Sequence, residues 1–130
     1  MKLGIINSAF GQAGVDTAIG LQHIARIGFD CVDIFTEAMT ISPEEKRVVL
    51  DTCRKNNLPI VSLPVVATGL IDFNKPVRAF HVERCKAFID LAAEWGAKNI
   101  LLVLPSHIVE WVEEAYRETA RLMDLSGIRG

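Results

Sequence analysis

The chain has 130 residues and a formal net charge of −2, from 14 Lys and Arg against 16 Asp and Glu. Half of its residues are hydrophobic and 23% are charged, which excludes a mainly disordered chain and fits one α/β domain spanning residues 1–130. No long basic run is present, so we expect no nucleic-acid partner. No apolar run approaches the roughly 20 residues of a membrane span, and three cysteines without a CxxC pair suit the reducing cytoplasm. We therefore expect a cytoplasmic protein with no membrane partner.

Apolar runs and helical spacing alternate along the chain. Continuous apolar or β-prone runs predict strands that are buried on both faces. Residues that recur at three- and four-residue spacing predict helices between these strands. The predicted strands cover residues 3–6, 31–35, 59–66 and 99–104, and the predicted helices cover 16–28, 42–57, 74–96 and a segment opened by Pro105 and Ser106. Loops are expected at residues 7–14 and 67–73.

Capping residues mark the ends of these helices. Asp16 is an expected N-cap, and Gly28 stands where a C-cap glycine is expected. Ser42 and Glu45 have the spacing of a capping box, with Pro43 at the first helical position. Asn74 is expected to cap the third helix. Pro64 has no backbone N–H for a sheet ladder, so it weakens the prediction at the end of the third strand.

Four strand-and-helix units predict an α/β fold with parallel strands joined by right-handed crossovers. A closed barrel and an open sheet both fit this pattern. An eight-unit barrel takes about 250 residues, so four units would form a (βα)4 half of a TIM (βα)8 barrel. Open edge strands are prone to association. We therefore expect either a homo-oligomer or a missing C-terminal half, with the chain truncated before strand five.

Four segments resemble the sugar isomerase and epimerase superfamily, whose xylose isomerase-like barrels include ketose 3-epimerases and hydroxypyruvate isomerases. The likeness covers nearly the whole chain. It rests on the opening run Lys-Leu-Gly-Ile-Ile-Asn, on Ile-Gly-Phe-Asp-Cys-Val-Asp-Ile, on Leu-Pro-Ile-Val-Ser, and on Trp-Gly-Ala-Lys-Asn-Ile-Leu, which begin at residues 2, 27, 58 and 95.

The resemblance implies a divalent metal held by two Glu, one Asp and one His at the ends of strands five to eight, with the two Glu also exchanging the substrate proton. This chain ends before strand five. We therefore assign no metal ligand and no catalytic residue within residues 1–130. The metal is expected only for the complete family barrel, and the isolated chain is expected to be inactive.

Residues that follow the strands are candidates for binding a sugar or polyol, because the carboxyl ends of barrel strands carry the active site. An amide or imidazole could hydrogen-bond a hydroxyl, and an aromatic ring could pack against a sugar face. Simpler interpretations also exist. The Asn side chain can hydrogen-bond the backbone of its own turn, the Phe ring can pack in the core, and the Glu and His side chains can be solvated on the surface. The candidates are Asn7, Phe35, Glu37, Ala67, Ser106 and His107.

Two further patterns have simple alternatives. His81 and Cys85 lie four residues apart, a spacing that can hold a metal, but no third ligand is in view and a packed core pair is the expected reading. Gly11 and Gly14 precede a helix and could hold an anion, yet the dinucleotide fingerprint is absent.

Three functional hypotheses follow from these patterns. The first is the N-terminal half of a sugar isomerase or epimerase that moves a proton beside a carbonyl with help from a metal. The second is a noncatalytic half-barrel that assembles with itself or a partner and binds a small polyol. The third is a nucleotide-binding open sheet.

Overall fold

A computed structural model describes residues 1–104 together with Arg117 and Arg121. Strands and helices alternate along most of this length. The strands are β1 (Gly4–Ile6), β2 (Cys31–Asp33), β3 (Ile60–Val66) and β4 (Asn99–Val103). The helices are α1 (Ser8–Gln12), α2 (Thr17–Ile27), α3 (Pro43–Lys55) and α4 (Lys75–Trp95), with a 3-10 helix at Thr68–Ile71. Apart from Arg117 and Arg121, the segment predicted to form a helix after β4 lies outside the described residues.

The predicted helix ends of α2 and α3 are confirmed by their backbone and side-chain contacts. The Asp16 carboxylate accepts hydrogen bonds from two amides of the first turn of α2, and Gly28 ends that helix with φ of 101°. Ser42 Oγ accepts from the Glu45 amide at 3.0 Å. In a capping box the Glu45 carboxylate would accept from the Ser42 amide. It accepts instead from Thr17 Oγ at 2.6 Å, and this bond connects α3 to α2.

The predictions for three other segments need correction. Residues 7–14 were expected to form a loop, but Ser8–Gln12 form α1. Phe10 packs closely against Gly20 of α2 and stacks on His23, and this tertiary contact outweighs the weak helix propensity of the segment. The expected loop 67–73 contains the 3-10 helix, and Asn74 occupies the N-cap of α4 without a side-chain capping bond.

The four strands form one parallel sheet in the order β1-β2-β3-β4. Pro64 is accommodated within β3 because pairing with β2 has already ended at Ser62, whereas pairing with β4 continues to Val66. Ala67 N donates to Val103 O, so odd-numbered positions of β3 face β4, and Pro64 faces the side where no ladder bond is required.

Strand order resolves the choice between a barrel and an open sheet. Open doubly wound sheets reverse their strand order at a switch point, whereas barrel strands follow one another in chain order. The described sheet has no such reversal. The molecule therefore has the architecture of a half TIM barrel.

The buried core lies between the sheet and its helices. Alternate strand residues enter this core, and α2, α3 and α4 cover the same side of the sheet. The central side chains, all 2% exposed or less, are Leu21, Ile24, Val32, Ile34, Val49, Leu63, Val65, Phe88 and Leu91. Among the described residues, no helix is long and apolar enough to cross a membrane.

Candidate functional site at the carboxyl edge of the sheet

The parallel strands bring their carboxyl ends to one edge of the sheet. Asn7 follows β1, Phe35 and Glu37 follow β2, and Ala67 follows β3. The structure therefore places these four sequence candidates at the same edge, where barrels carry their sites. Ser106 and His107 lie outside the described residues, and their predicted roles stay predictions.

Asn7 connects the ends of β1 and β2. Its backbone N donates to Asp33 O at 3.1 Å, and its side-chain Oδ1 accepts from the Phe35 amide at 2.7 Å. The oxygen therefore satisfies backbone, as the simpler interpretation expects, although the backbone belongs to the neighbouring strand. Within residues 1–104, no group accepts a hydrogen bond from Asn7 Nδ2, so this amide keeps two donors available. The Phe35 ring beside it is 44% exposed.

Glu37 is held by an arginine from α4. Its Oε2 lies 2.8 Å from Arg84 Nε and 2.7 Å from Arg84 Nη2, and its Oε1 accepts from the Met39 amide at 3.3 Å. Partial burial acts to raise the pKa of Glu37, but the Arg84 hydrogen bond, the Met39 amide and the Arg84 charge outweigh it and lower the pKa below its ordinary value. Glu37 is therefore an ion-paired carboxylate rather than a freely solvated one.

Arg84 also contacts β3 and the core. Its Nη1 donates to Val66 O at 2.7 Å, and its guanidinium carbon lies 5.2 Å from the centre of the Phe88 ring. We call Arg84, Glu37 and Val66 the Arg84 clamp. The clamp fixes the loop after β2 against the end of β3, with an arginine that is only 15% exposed.

The sequence analysis did not predict the Arg84 clamp. The available signal was a guanidinium on an otherwise apolar stripe, since a charge in such a position almost always has a partner. Which carboxylate would pair with it depends on the path of the loop after β2. The sequence pattern does not specify that path.

Ala67 has a different environment from the other candidates. Its side chain is fully buried, and its amide extends the ladder by donating to Val103 O at 3.0 Å. Ala67 is therefore a buried residue at the N-cap of the 3-10 helix, and its side chain is not exposed to a ligand at the edge.

The described residues do not fit the metal centre that the family resemblance implies. Among residues 1–104, 117 and 121, no group of three or more His, Cys, Asp or Glu side chains is placed to hold an ion. The His81 ring instead lies against Gly69, where an added Cβ would sit 2.2 Å from the ring, and Cys85 packs against the hydrophobic core. We therefore derive no catalytic step through a metal on these residues.

Two open clefts lie away from the carboxyl edge. One, of about 480 Å³, is lined by Trp95 and Gly96 at the end of α4 and by Pro59 before β3. The other, of about 540 Å³, lies between α2 and the end of α3. The first is at the amino end of the strands, which in barrels serves stability, so we do not assign the functional site to it.

The sequential parallel sheet and its flanking helices define a class of protein, the (βα) barrels, whose sites lie at the carboxyl ends of the strands. The model of one family, described as xylose isomerase-like TIM barrel, matches residues 21–125. This match covers most of the chain, and the chain belongs to the xylose isomerase-like TIM barrel family. It is thus a sugar isomerase- or epimerase-like domain. A comparison with curated proteins finds no match.

Proposed function

We propose that this chain supplies the N-terminal half of a barrel that isomerises or epimerises a ketose or a related polyol-derived carbonyl compound. The observation that carries the proposal is the sequential parallel sheet with a polar carboxyl edge, in a chain that belongs to the xylose isomerase-like family. Such a reaction removes a proton from the carbon beside a carbonyl and returns it elsewhere or on the other face.

In this proposal the described residues form one wall of the sugar pocket. The free donors of Asn7 Nδ2 are suited to a sugar hydroxyl, and the exposed face of Phe35 is suited to the C–H face of a sugar ring. Both Glu37 oxygens are already hydrogen-bonded, so Glu37 positions the loop that carries Phe35. The divalent metal and the proton-transferring carboxylates come from the half that completes the barrel.

A split-barrel assay tests this proposal. The chain is mixed with strands five to eight of another xylose isomerase-like barrel, and ketose conversion is followed in deuterated water with added Mg²⁺ or Mn²⁺. We expect deuterium incorporation beside the carbonyl only in the mixture. Turnover by the chain alone would contradict the division of roles.

Asn7→Ala and Glu83→Gln provide the matched comparison in that mixture. Asn7→Ala is expected to raise KM by about tenfold, the size of one lost hydrogen bond, while Glu83→Gln on the outer surface leaves KM unchanged. An associated mixture that binds ketose or polyol without incorporating deuterium would instead support the noncatalytic half-barrel and contradict the proposed reaction.

A further inference from the structure

The cleft between α2 and the end of α3 is lined by basic and amide side chains. Its volume is about 540 Å³, which is within the usual range for a small-molecule site. None of the described residues that line it is acidic, and two of the seven are apolar. We call it the basic cleft and define it by its polar residues, Gln22, His23, Arg26, Lys55 and Asn56.

Arg26 and Lys55 bring positive charge to the basic cleft from two different helices. Each lies in the last turn of its helix, where the partial negative charge of the helix end favours a cation. That effect accounts for one cation at each helix end, but not for two cations that line one cleft without a carboxylate. Within residues 1–104, neither side chain forms an ion pair, although the chain has a net charge of −2. An anion is therefore the ligand that the charge of the cleft favours.

His23 orients the Arg26 guanidinium without neutralising it. His23 Nδ1 lies 3.1 Å from Arg26 Nη2. Because a guanidinium can only donate, Nδ1 accepts, and the proton of the neutral imidazole is on Nε2. The imidazole is itself stacked on the Phe10 ring, with an angle of 7° between the two planes. The cleft therefore holds a restrained guanidinium, and the His23 ring keeps an N–H group that has no partner among residues 1–104.

We infer that the basic cleft binds a small molecule that carries a phosphate group. A guanidinium recognises phosphate oxygens with paired N–H donors, and a lysine ammonium adds a compact charge. A phosphate group fills only part of the cleft, and the amides of Gln22 and Asn56 are suited to hydroxyl groups on the rest of the molecule. Two cations in a concave site do not form the extended basic stripe that a nucleic acid requires.

The basic cleft is separate from the candidate site at the carboxyl edge. α2 leads into β2 and α3 leads into β3, so both helices end towards the amino ends of the strands. Asn7 and Phe35 lie at the opposite edge of the sheet. The cleft is therefore a second ligand site, and the inference does not depend on the proposed isomerase activity.

An NMR titration of the full chain tests this inference. The probe is glycerol 3-phosphate, and glycerol is its uncharged counterpart, at an ionic strength held constant with NaCl. We expect glycerol 3-phosphate, but not glycerol, to shift the backbone amide signals of residues 22–26 and 55–56. Arg26→Gln and Lys55→Gln are each expected to raise the Kd by about tenfold, the size of one lost charged hydrogen bond. Unchanged signals at millimolar glycerol 3-phosphate would overturn the inference.

Arg47→Gln is the matched control. Arg47 lies on α3, is exposed and does not line the basic cleft, so this variant removes the same charge elsewhere on the helix. Its Kd should equal that of the wild-type chain. Equal weakening by Arg47→Gln and Lys55→Gln would show that the anion responds to overall charge, and the inference would fail.

A second measurement separates a soluble phosphate ester from a lipid headgroup of the same chemistry. The chain is sedimented with phosphatidylcholine vesicles that contain phosphatidic acid. We expect it to stay in the supernatant, because a concave cleft admits a free small molecule. Binding to these vesicles without binding to glycerol 3-phosphate would overturn the inference in favour of a membrane surface.

Discussion

The central strand β3 and the edge strand β4 differ in how completely the described residues cover them. In β3, Leu63 and Val65 are fully buried and Ser62 is 8% exposed, whereas in β4 Leu101, Leu102 and Val103 are 40–54% exposed. Leu102 pairs in register with the buried Val65, and Leu101 lies on the opposite side of the sheet, so β4 is exposed on both sides. Apolar strand residues are therefore buried in this sheet only where a strand has neighbours on both of its edges.

The largest expected effect is on the free energy of unfolding, when a leucine is removed from β3 or from β4. Leu63→Ala is expected to lower the free energy of unfolding by about 2–5 kcal/mol because it creates a cavity in the core. Leu101→Ala is expected to cost less than about 1 kcal/mol, because its side chain is already largely hydrated. Urea denaturation of the two variants measures the difference.

Equal losses for these two leucines would show that Leu101 is buried in solution, which would contradict the exposure of β4. Repeating the pair after addition of a complementary half provides the control, since Leu101→Ala should become costly only in the assembled barrel.

A smaller effect is expected from the Arg84 clamp, which joins α4 to the ends of β2 and β3 at the carboxyl edge. Arg84→Ala removes the bonds to Glu37 and Val66 and the contact with Phe88, and is expected to lower stability by about 1–3 kcal/mol. Lys86→Ala on the same helix is the matched control, because the Lys86–Glu83 pair is 62% exposed on both sides and should contribute nothing measurable. Equal melting temperatures for the two variants would contradict the clamp.

The smallest effect is the pH dependence contributed by Glu37. Its pKa in the folded chain is lower than the ordinary value of 4.5, so its stabilising contribution is present above that value and is lost as the pH falls through the folded pKa. Glu37→Gln is expected to lower stability at pH 7 by less than about 1 kcal/mol, since the carboxylate is partly exposed. The gap between the variant and the wild-type chain should close below about pH 4.5. If the stability difference between Glu37→Gln and the wild-type chain does not change with pH, the charge of Glu37 is not its cause.

The sequence predicted the helices and strands well where local chemistry decides the structure. Asp16, Gly28 and Ser42 mark helix ends through bonds to nearby backbone, and those bonds are present. It failed at Ser8–Gln12, where the helix depends on Phe10 packing against a distant Gly20. The choice between barrel and open sheet also required the strand order, which no local pattern contains.

The sequence predicted where the candidate site lies but not which residues contact one another there. Asn7, Phe35 and Glu37 lie together at the carboxyl edge because parallel strands end together. The partner of Glu37 is 47 residues away on α4, and the partner of Asp33 is 29 residues away on β3. Such long-range pairs depend on loop paths and strand register, which hydrophobic spacing does not determine.

Hydroxyl-radical footprinting of the folded chain tests the half-barrel account most directly. The account predicts strong labelling of Val66, Leu101 and Val103 and protection of Leu63 and Val65, with the labelling of the first three suppressed when a complementary half is added. Equal protection of both sets in the chain alone would contradict it.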